Sequence, residues 1–203
     1  AGEAFAAGAD IAEFENERHD VESARAYGAE MHPALDAVSS CRHPVVAMID
    51  GPCIGGGLEI AARTDIRICS ERSRFGVPVN KLGLVAAYEE LAPIVRIAGA
   101  RATLEILLEG KTVDAAHALQ LGLVSRVVAD ADMEKECRAT AARIAEGAPL
   151  VARWHKKFVN RLLDPQPLSA AEREENFACF GTEDFRIGNR AFLAKAKPAF
   201  KGE

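Results

Sequence analysis

The sequence predicts an α/β domain that continues into helices alone, and three observations carry that prediction. Short apolar runs rich in β-branched residues, bounded by Pro, Gly and Asp, read as strands. Stretches of helical composition lie between them. Beyond Val128 only helical patterns follow.

Each element can be justified in order. Residues 43–51, "HPVVAMIDG", form a short continuous apolar run, the mark of a buried strand. "GLEIAAR", residues 57–63, favours helix through its Leu, Glu and Ala. "DIRIC", residues 65–69, alternates and places Ile66 and Ile68 on one face. Residues 70–84, "SERSRFGVPVNKLGL", are rich in turn formers. Residues 89–110 read as a helix punctuated at Gly99 and capped by Gly110. "VDAAHALQLG" is a short helix opened by Asp114 and closed by Gly122, and "LVSRVV" is a strand. "DMEKECRATAARIAEG" puts Met133, Cys137, Ala141 and Ile144 on one helical face. Pro149 suits the first turn of the next helix, whose Trp154 is expected in the core. "DPQPLS" is the one Pro-rich break, followed by a capping-box pattern at Ser169 and Glu172. Residues 182–201 read as a last helix with an acidic start and a basic end at Lys195, Lys197 and Lys201. The division expected is 1–147 for the α/β core and 148–203 for the C-terminal helices.

Composition narrows the function classes. The 203 residues are 49% hydrophobic and 27% charged, an ordinary globular balance. A formal charge of −5 gives no electrostatic footprint for nucleic acid. No apolar run is long enough for a membrane span. Five cysteines without a CxxC read as reduced thiols of a cytoplasmic protein, not as a disulfide or zinc framework. His43, His117 and His155 lack ligand-spaced partners, so no metal is expected. The opening "AGEAFAAGADIAEFE" has neither Met, basic leader nor apolar signal core, so a trimmed or partial chain is expected.

The chemistry concentrates at "GPCIGGGLEIA". A phosphate cradle fails, because a P-loop needs Lys-Ser/Thr where Leu58 and Glu59 stand, and a dinucleotide fingerprint needs Gly where Ile60 stands. A structural turn accounts for one or two of Gly55, Gly56 and Gly57 through positive φ, but leaves the third and Glu59 unexplained. An oxyanion site accounts for more. Backbone N–H groups at a helix start lack intrahelical partners, and without Cβ atoms a ligand carbonyl can approach them. A carboxylate beside them can act as general acid or base. Taken alone, a Glu such as Glu59 is more often an ordinary first-turn residue than a catalyst.

The stretch "HPVVAMIDGPCIGGGLEIAARTDIRI" resembles the signature of the crotonase (enoyl-CoA hydratase/isomerase) superfamily. "AFAAGADI" resembles that family's other glycine motif. "EILLEGKTVDAAHALQLGLVSRVV" and "RAFLAKAKPAF" resemble later segments in the family's order. The resemblance implies stacked ββα units, with further strands expected before residue 1, and C-terminal helices that mediate a homotrimer or dimer of trimers. It implies an acyl-CoA thioester substrate, with coenzyme A as part of that substrate and no separate cofactor. It implies backbone N–H groups of Ala9 and Gly56 as the oxyanion hole, and Ala7, Gly8, Asp10, Ile11 and Gly55 along the substrate and CoA. Glu59 becomes one of two acid/base carboxylates, and Lys195 a CoA contact.

The chain departs from the family pattern where the second carboxylate is expected. "FGVPV" places Val79 there, and "LVAAYEELAP" replaces a glycine-rich loop. Tyr88 and Glu89 become the candidates for the second acid, with Glu90 read as a solvated helix start. Ala12 stands where the family often has a CoA-binding Lys. The expected activity is enoyl-CoA hydration or isomerisation through a thioester enolate. The alternatives are decarboxylation of a malonyl-type CoA, a non-catalytic acyl-CoA-binding paralogue, and an RNA-binding role that the acidic composition disfavours.

Overall fold

The computed structural model describes residues 2–203. The chain divides into two compact units. The first takes the chain up to Cys41 together with Val45–Cys137, and the second takes Arg42–Pro44 and Arg138–Glu203.

In the first unit a one-turn helix, α1 (Phe14–Glu17), precedes a long helix, α2 (Val21–Ser40). Asp20 starts α2: its carboxylate accepts the Ser23 amide at 2.8 Å while Ser23 Oγ accepts the Asp20 amide at 3.1 Å. Strands and helices then follow as β1 (Val46–Ile49), β2 (Pro52–Ile54), α3 (Gly56–Ala62), β3 (Ile66–Ser70), β4 (Arg74–Gly76) and α4 (Tyr88–Glu109). β5 (Val113–Asp114), α5 (Ala115–Gln120), β6 (Arg126–Val128) and the start of α6 (Met133–Ala145) complete it.

β1 pairs in parallel with β3, and β3 with β6. β2 pairs in parallel with β4, and β4 antiparallel with β5. Each of β1–β2 and β3–β4 therefore switches sheets across a tight turn before entering a helix, the stacked ββα arrangement expected from the sequence. Side chains pin the two turns together. Asp50 accepts hydrogen bonds from Ser70 Oγ (2.7 Å) and from Arg72 Nε and Nη2 (2.7 and 2.6 Å). The Arg72 bonds, aided by Ser70, hold the Asp50 carboxyl below its ordinary value. Between the layers Ile49, Cys53, Leu58, Phe75, Ile94 and Leu123 are essentially inaccessible. Burial pushes the Cys69 thiol up to about 11, which leaves it protonated and inert.

In the second unit the rest of α6, α7 (Pro149–Leu162), α8 (Ala170–Glu174) and α9 (Glu183–Leu193) follow without strands. The Ser169–Glu172 capping box forms as expected. Asp184, 2% exposed, clasps the tail: its carboxylate accepts the amides of Lys201 (2.7 Å) and Gly202 (3.0 Å). No helix among the described residues is long and apolar enough to cross a membrane.

Several expectations need correction. The turn-rich stretch contains β4, and α2 was not legible as a helix. On α6 it is Thr140, not Ala141, that is buried with Met133 and Cys137. Trp154 is half-buried rather than core. The last helix ends at Leu193, so Lys195, Lys197 and Lys201 lie beyond it; Lys195 has left-handed backbone (φ 52°). The two compact units meet in sequence after Cys137, inside α6.

Candidate active site

The two glycine motifs meet. Residues 5 and 6 run beside β2, with the Phe5 and Ala6 amides donating to the Pro52 carbonyl and the Ile54 amide donating to the Ala6 carbonyl at 3.0 Å. This brings Gly8 against the start of α3: a Cβ on Gly8 would lie 3.6 Å from the Gly56 nitrogen.

Each glycine of the triplet has its own reason. Gly55 takes φ 52° and ψ −120°, a conformation open to glycine alone, and its carbonyl accepts the Leu58 and Glu59 amides. Gly56 is the first residue of α3, and among the described residues no acceptor is paired with its N–H or with that of Ala9. Gly57 is a close approach, since a Cβ there would sit 2.3 Å from the Ala6 carbonyl oxygen. Gly57→Ala is expected to destabilise the protein by about 1–3 kcal/mol in denaturant unfolding, because backbone must shift to admit the methyl.

These amides border a cavity of about 570 Å³ within the first unit. Ala7, Gly8, Ala9, Ile11, Gly55, Gly56 and Glu59 line it, as does Val79. Asp10 does not; its carboxylate accepts the Ala12 amide at 2.9 Å and caps a short turn. Lys195 is exposed in the second unit.

The candidates for a second acid stand in the first turn of α4. Tyr88 is 89% exposed, Glu89 points to solvent, and neither lines the cavity. Glu90 does line it. Its Oε2 accepts the Ala87 amide at 2.8 Å and its Oε1 lies 3.5 Å from His32 Nε2. On α4 successive residues turn by about 100°, so of three neighbours only one faces inward. Glu90 shares its face with buried Ile94 four residues on, a signal present in the sequence. From just beyond α1, Arg18, and from α2, Tyr27 and His32, also reach the cavity, and no sequence motif marks them.

Glu59 is 7% exposed, and its carboxyl is pushed up to about 7. Burial is the main cause and the charge of Glu90 adds to it, while Arg63, Arg18 and His32 oppose it. Such a group carries or releases a proton near neutral pH. Arg63 fixes both carboxylate-bearing helices: its Nη1 donates to the Glu59 carbonyl (3.1 Å) and its Nη2 to the Glu89 carbonyl (2.7 Å). No cluster of metal-ligating side chains occurs among the described residues.

Stacked ββα units with glycine motifs at a cavity wall define a crotonase-type fold. The family model "Enoyl-CoA hydratase/isomerase" matches residues 1–203, and the chain belongs to that family. It is 36% identical over 199 residues to a probable enoyl-CoA hydratase, echA8, of Mycobacterium bovis, covering 97% of this chain and 76% of that protein. It is 32% identical over 200 residues to a short-chain-enoyl-CoA hydratase of Clostridium acetobutylicum, with 97% and 76% covered. A solved enoyl-CoA hydratase/carnithine racemase from Magnetospirillum magneticum superposes with a TM-score of 0.98 at 53% identity, covering all of this chain and 76% of that one.

Proposed function

We propose that the chain is a hydratase acting on an enoyl-CoA thioester, with Glu59 and Glu90 as its two carboxylates. The observation that carries this reading is that both line one cavity beside the unpaired amides of Ala9 and Gly56. The thioester oxygen accepts those two N–H groups, and the enolate charge that develops on it is stabilised there. Polarisation makes the β-carbon electrophilic and the α-carbon basic once water has added. One carboxylate takes a proton from the attacking water while the other delivers one to the α-carbon, so the pair works with a single proton between its members. Glu90, arriving from α4, does the work that Val79 cannot. Ala7, Gly8 and Ile11 run along the substrate. Coenzyme A enters as part of that substrate, and no other cofactor takes part.

Isomerisation and decarboxylation use the same oxyanion site without a second carboxylate. The presence of Glu90 in the same cavity as Glu59 favours hydration. Exposed Phe177, Phe180 and Phe192 at the C-terminal helices suit packing between subunits of a homotrimer.

The test is addition of water to crotonyl-CoA, followed by mass with isotopically labelled water. Glu90→Gln is expected to lower hydration by about 10²-fold or more. Tyr88→Phe and Glu89→Gln are expected to leave it unchanged. Full hydration in the Glu90→Gln enzyme would overturn the two-carboxylate assignment. A protein that binds crotonyl-CoA and never turns it over is instead a binding paralogue.

A further inference from the structure

Arg18 lines the cavity and takes no part in the hydration chemistry. Arg18, just beyond α1, lies with its guanidinium carbon 3.5 Å from the ring centroid of Tyr27 and 4.6 Å from that of Phe14. Its Nη2 lies 3.8 Å from the Met31 sulfur, a weak acceptor. Its Nε is buried, and among the described residues has no hydrogen-bond partner. No carboxylate of the described residues forms an ion pair with it. Arg67 and Arg72 show the contrast, each spending its guanidinium on carbonyls or a carboxylate; Arg63, whose Nε is likewise buried without a hydrogen-bond partner, still bonds two carbonyls and lies 3.6 Å from Asp36.

Neither acid of the cavity forms an ion pair with Arg18, whose charge acts on Glu59 only from a distance. Glu90 is engaged by the Ala87 amide and His32. Glu59 is held toward its protonated form by burial, with the charge of Glu90 adding to that. Two aromatic rings and a thioether fix a planar cation at the wall of a cavity that His32, Glu59, Lys81 and Glu90 also line, with its buried Nε unspent. A buried unsatisfied donor is costly, and a planar fork is best matched by a carboxylate.

We propose that the cavity selects acyl thioesters whose chain ends in a carboxylate, and that Arg18 is the residue that receives it. This rests on the acyl-thioester reading above and narrows it to dicarboxylic acyl chains. The other anion on such a substrate is the phosphate of coenzyme A, and the experiment separates the two.

Saturated thioesters do not react, so their binding can be read by calorimetry whatever reaction the enzyme performs. Succinyl-, glutaryl- and adipyl-CoA are compared with butyryl-, valeryl- and hexanoyl-CoA, which share the CoA portion and lack only the terminal charge. The wild type is expected to prefer the dicarboxylic member by about tenfold or more at one or more chain lengths, the increment of a charge-assisted hydrogen bond. Arg18→Met is expected to erase that preference and leave the neutral thioesters bound within about twofold, which also shows that the variant is folded. Arg18→Lys, which keeps the charge without the fork, is expected to retain part of it. Absence of any preference in the wild type overturns the proposal, as does a preference that survives Arg18→Met. Equal weakening of both series assigns Arg18 to the CoA phosphates and also overturns it. Failure of every thioester to bind the wild type sinks the acyl-CoA reading itself, and the proposal with it.

Discussion

Gly56→Pro is expected to abolish turnover of an enoyl-CoA, while Gly56→Ala retains it within about tenfold. The pair isolates the amide hydrogen from everything else at that position. Gly56 opens α3, where proline's fixed φ is helical and its missing N–H is one that the helix does not use. The substitution therefore preserves the local fold and removes the donor. Alanine does the reverse: a Cβ at Gly56 meets nothing nearer than the Gly8 Cα at 3.9 Å, so the N–H stays and the backbone need not move. Loss of one oxyanion donor costs about 2.7–4 kcal/mol of transition-state stabilisation, about 10²–10³ in kcat. The assay is kcat on crotonyl-CoA, with thermal unfolding to show that both variants are folded. A folded proline variant of undiminished rate would remove Gly56 from the mechanism.

The second large effect is at Glu59. Glu59→Gln is expected to lower kcat by about 10²–10⁴ and to remove the limb of the kcat/KM profile near pH 7 that belongs to the carboxylate pair. It also changes stability in a direction opposite to the usual surface carboxylate. The folded protein holds the Glu59 proton up to about pH 7, against an ordinary value of 4.5. Between those values the folded state binds more protons than the unfolded chain, so the stabilisation present below pH 4.5 is lost as pH rises to about 7. At about 1.4 kcal/mol per pH unit the loss is on the order of 3 kcal/mol. Glutamine has no proton to lose. Urea unfolding at pH 5 and pH 8 should show the wild type weakening relative to Glu59→Gln across that interval. Parallel pH dependence of the two proteins would mean that Glu59 is not buried as a carboxyl.

The parts of the fold that sequence made legible are those whose signal is local. The apolar runs at β1 and β3, the Gly110 cap and the Asp114 and Ser169 starts each follow from residues within a few positions of one another. β2, β4 and β5 are two or three residues long and exist through their neighbours, which no local pattern reveals. The glycine triplet showed the same divide. A positive φ at Gly55 was legible as a turn, but the contact that forbids a side chain at Gly57 is with Ala6, fifty residues away in sequence. Which of the adjacent acids reaches the cavity was hidden for a related reason. Tyr88, Glu89 and Glu90 are chemically plausible in turn, and only the rotational phase of α4, fixed by Ile94 and the Ala87–Glu90 hydrogen bond, selects the third. Arg18 carries no motif at all; its standing depends on rings that a helix brings to it.

The Arg63 guanidinium has a consequence for motion. It is 4% exposed, bonds the carbonyls of Glu59 and Glu89, and lies 3.6 Å from Asp36 of α2. Separating α3 from the start of α4 would cost this buried cation its bond to the Glu89 carbonyl and leave it the Glu59 carbonyl and Asp36, so opening between the two segments carries a penalty. The same guanidinium thus ties the backbone that carries Glu59 to the backbone beside Glu90, and motion that would part them is opposed by a charge-assisted bond.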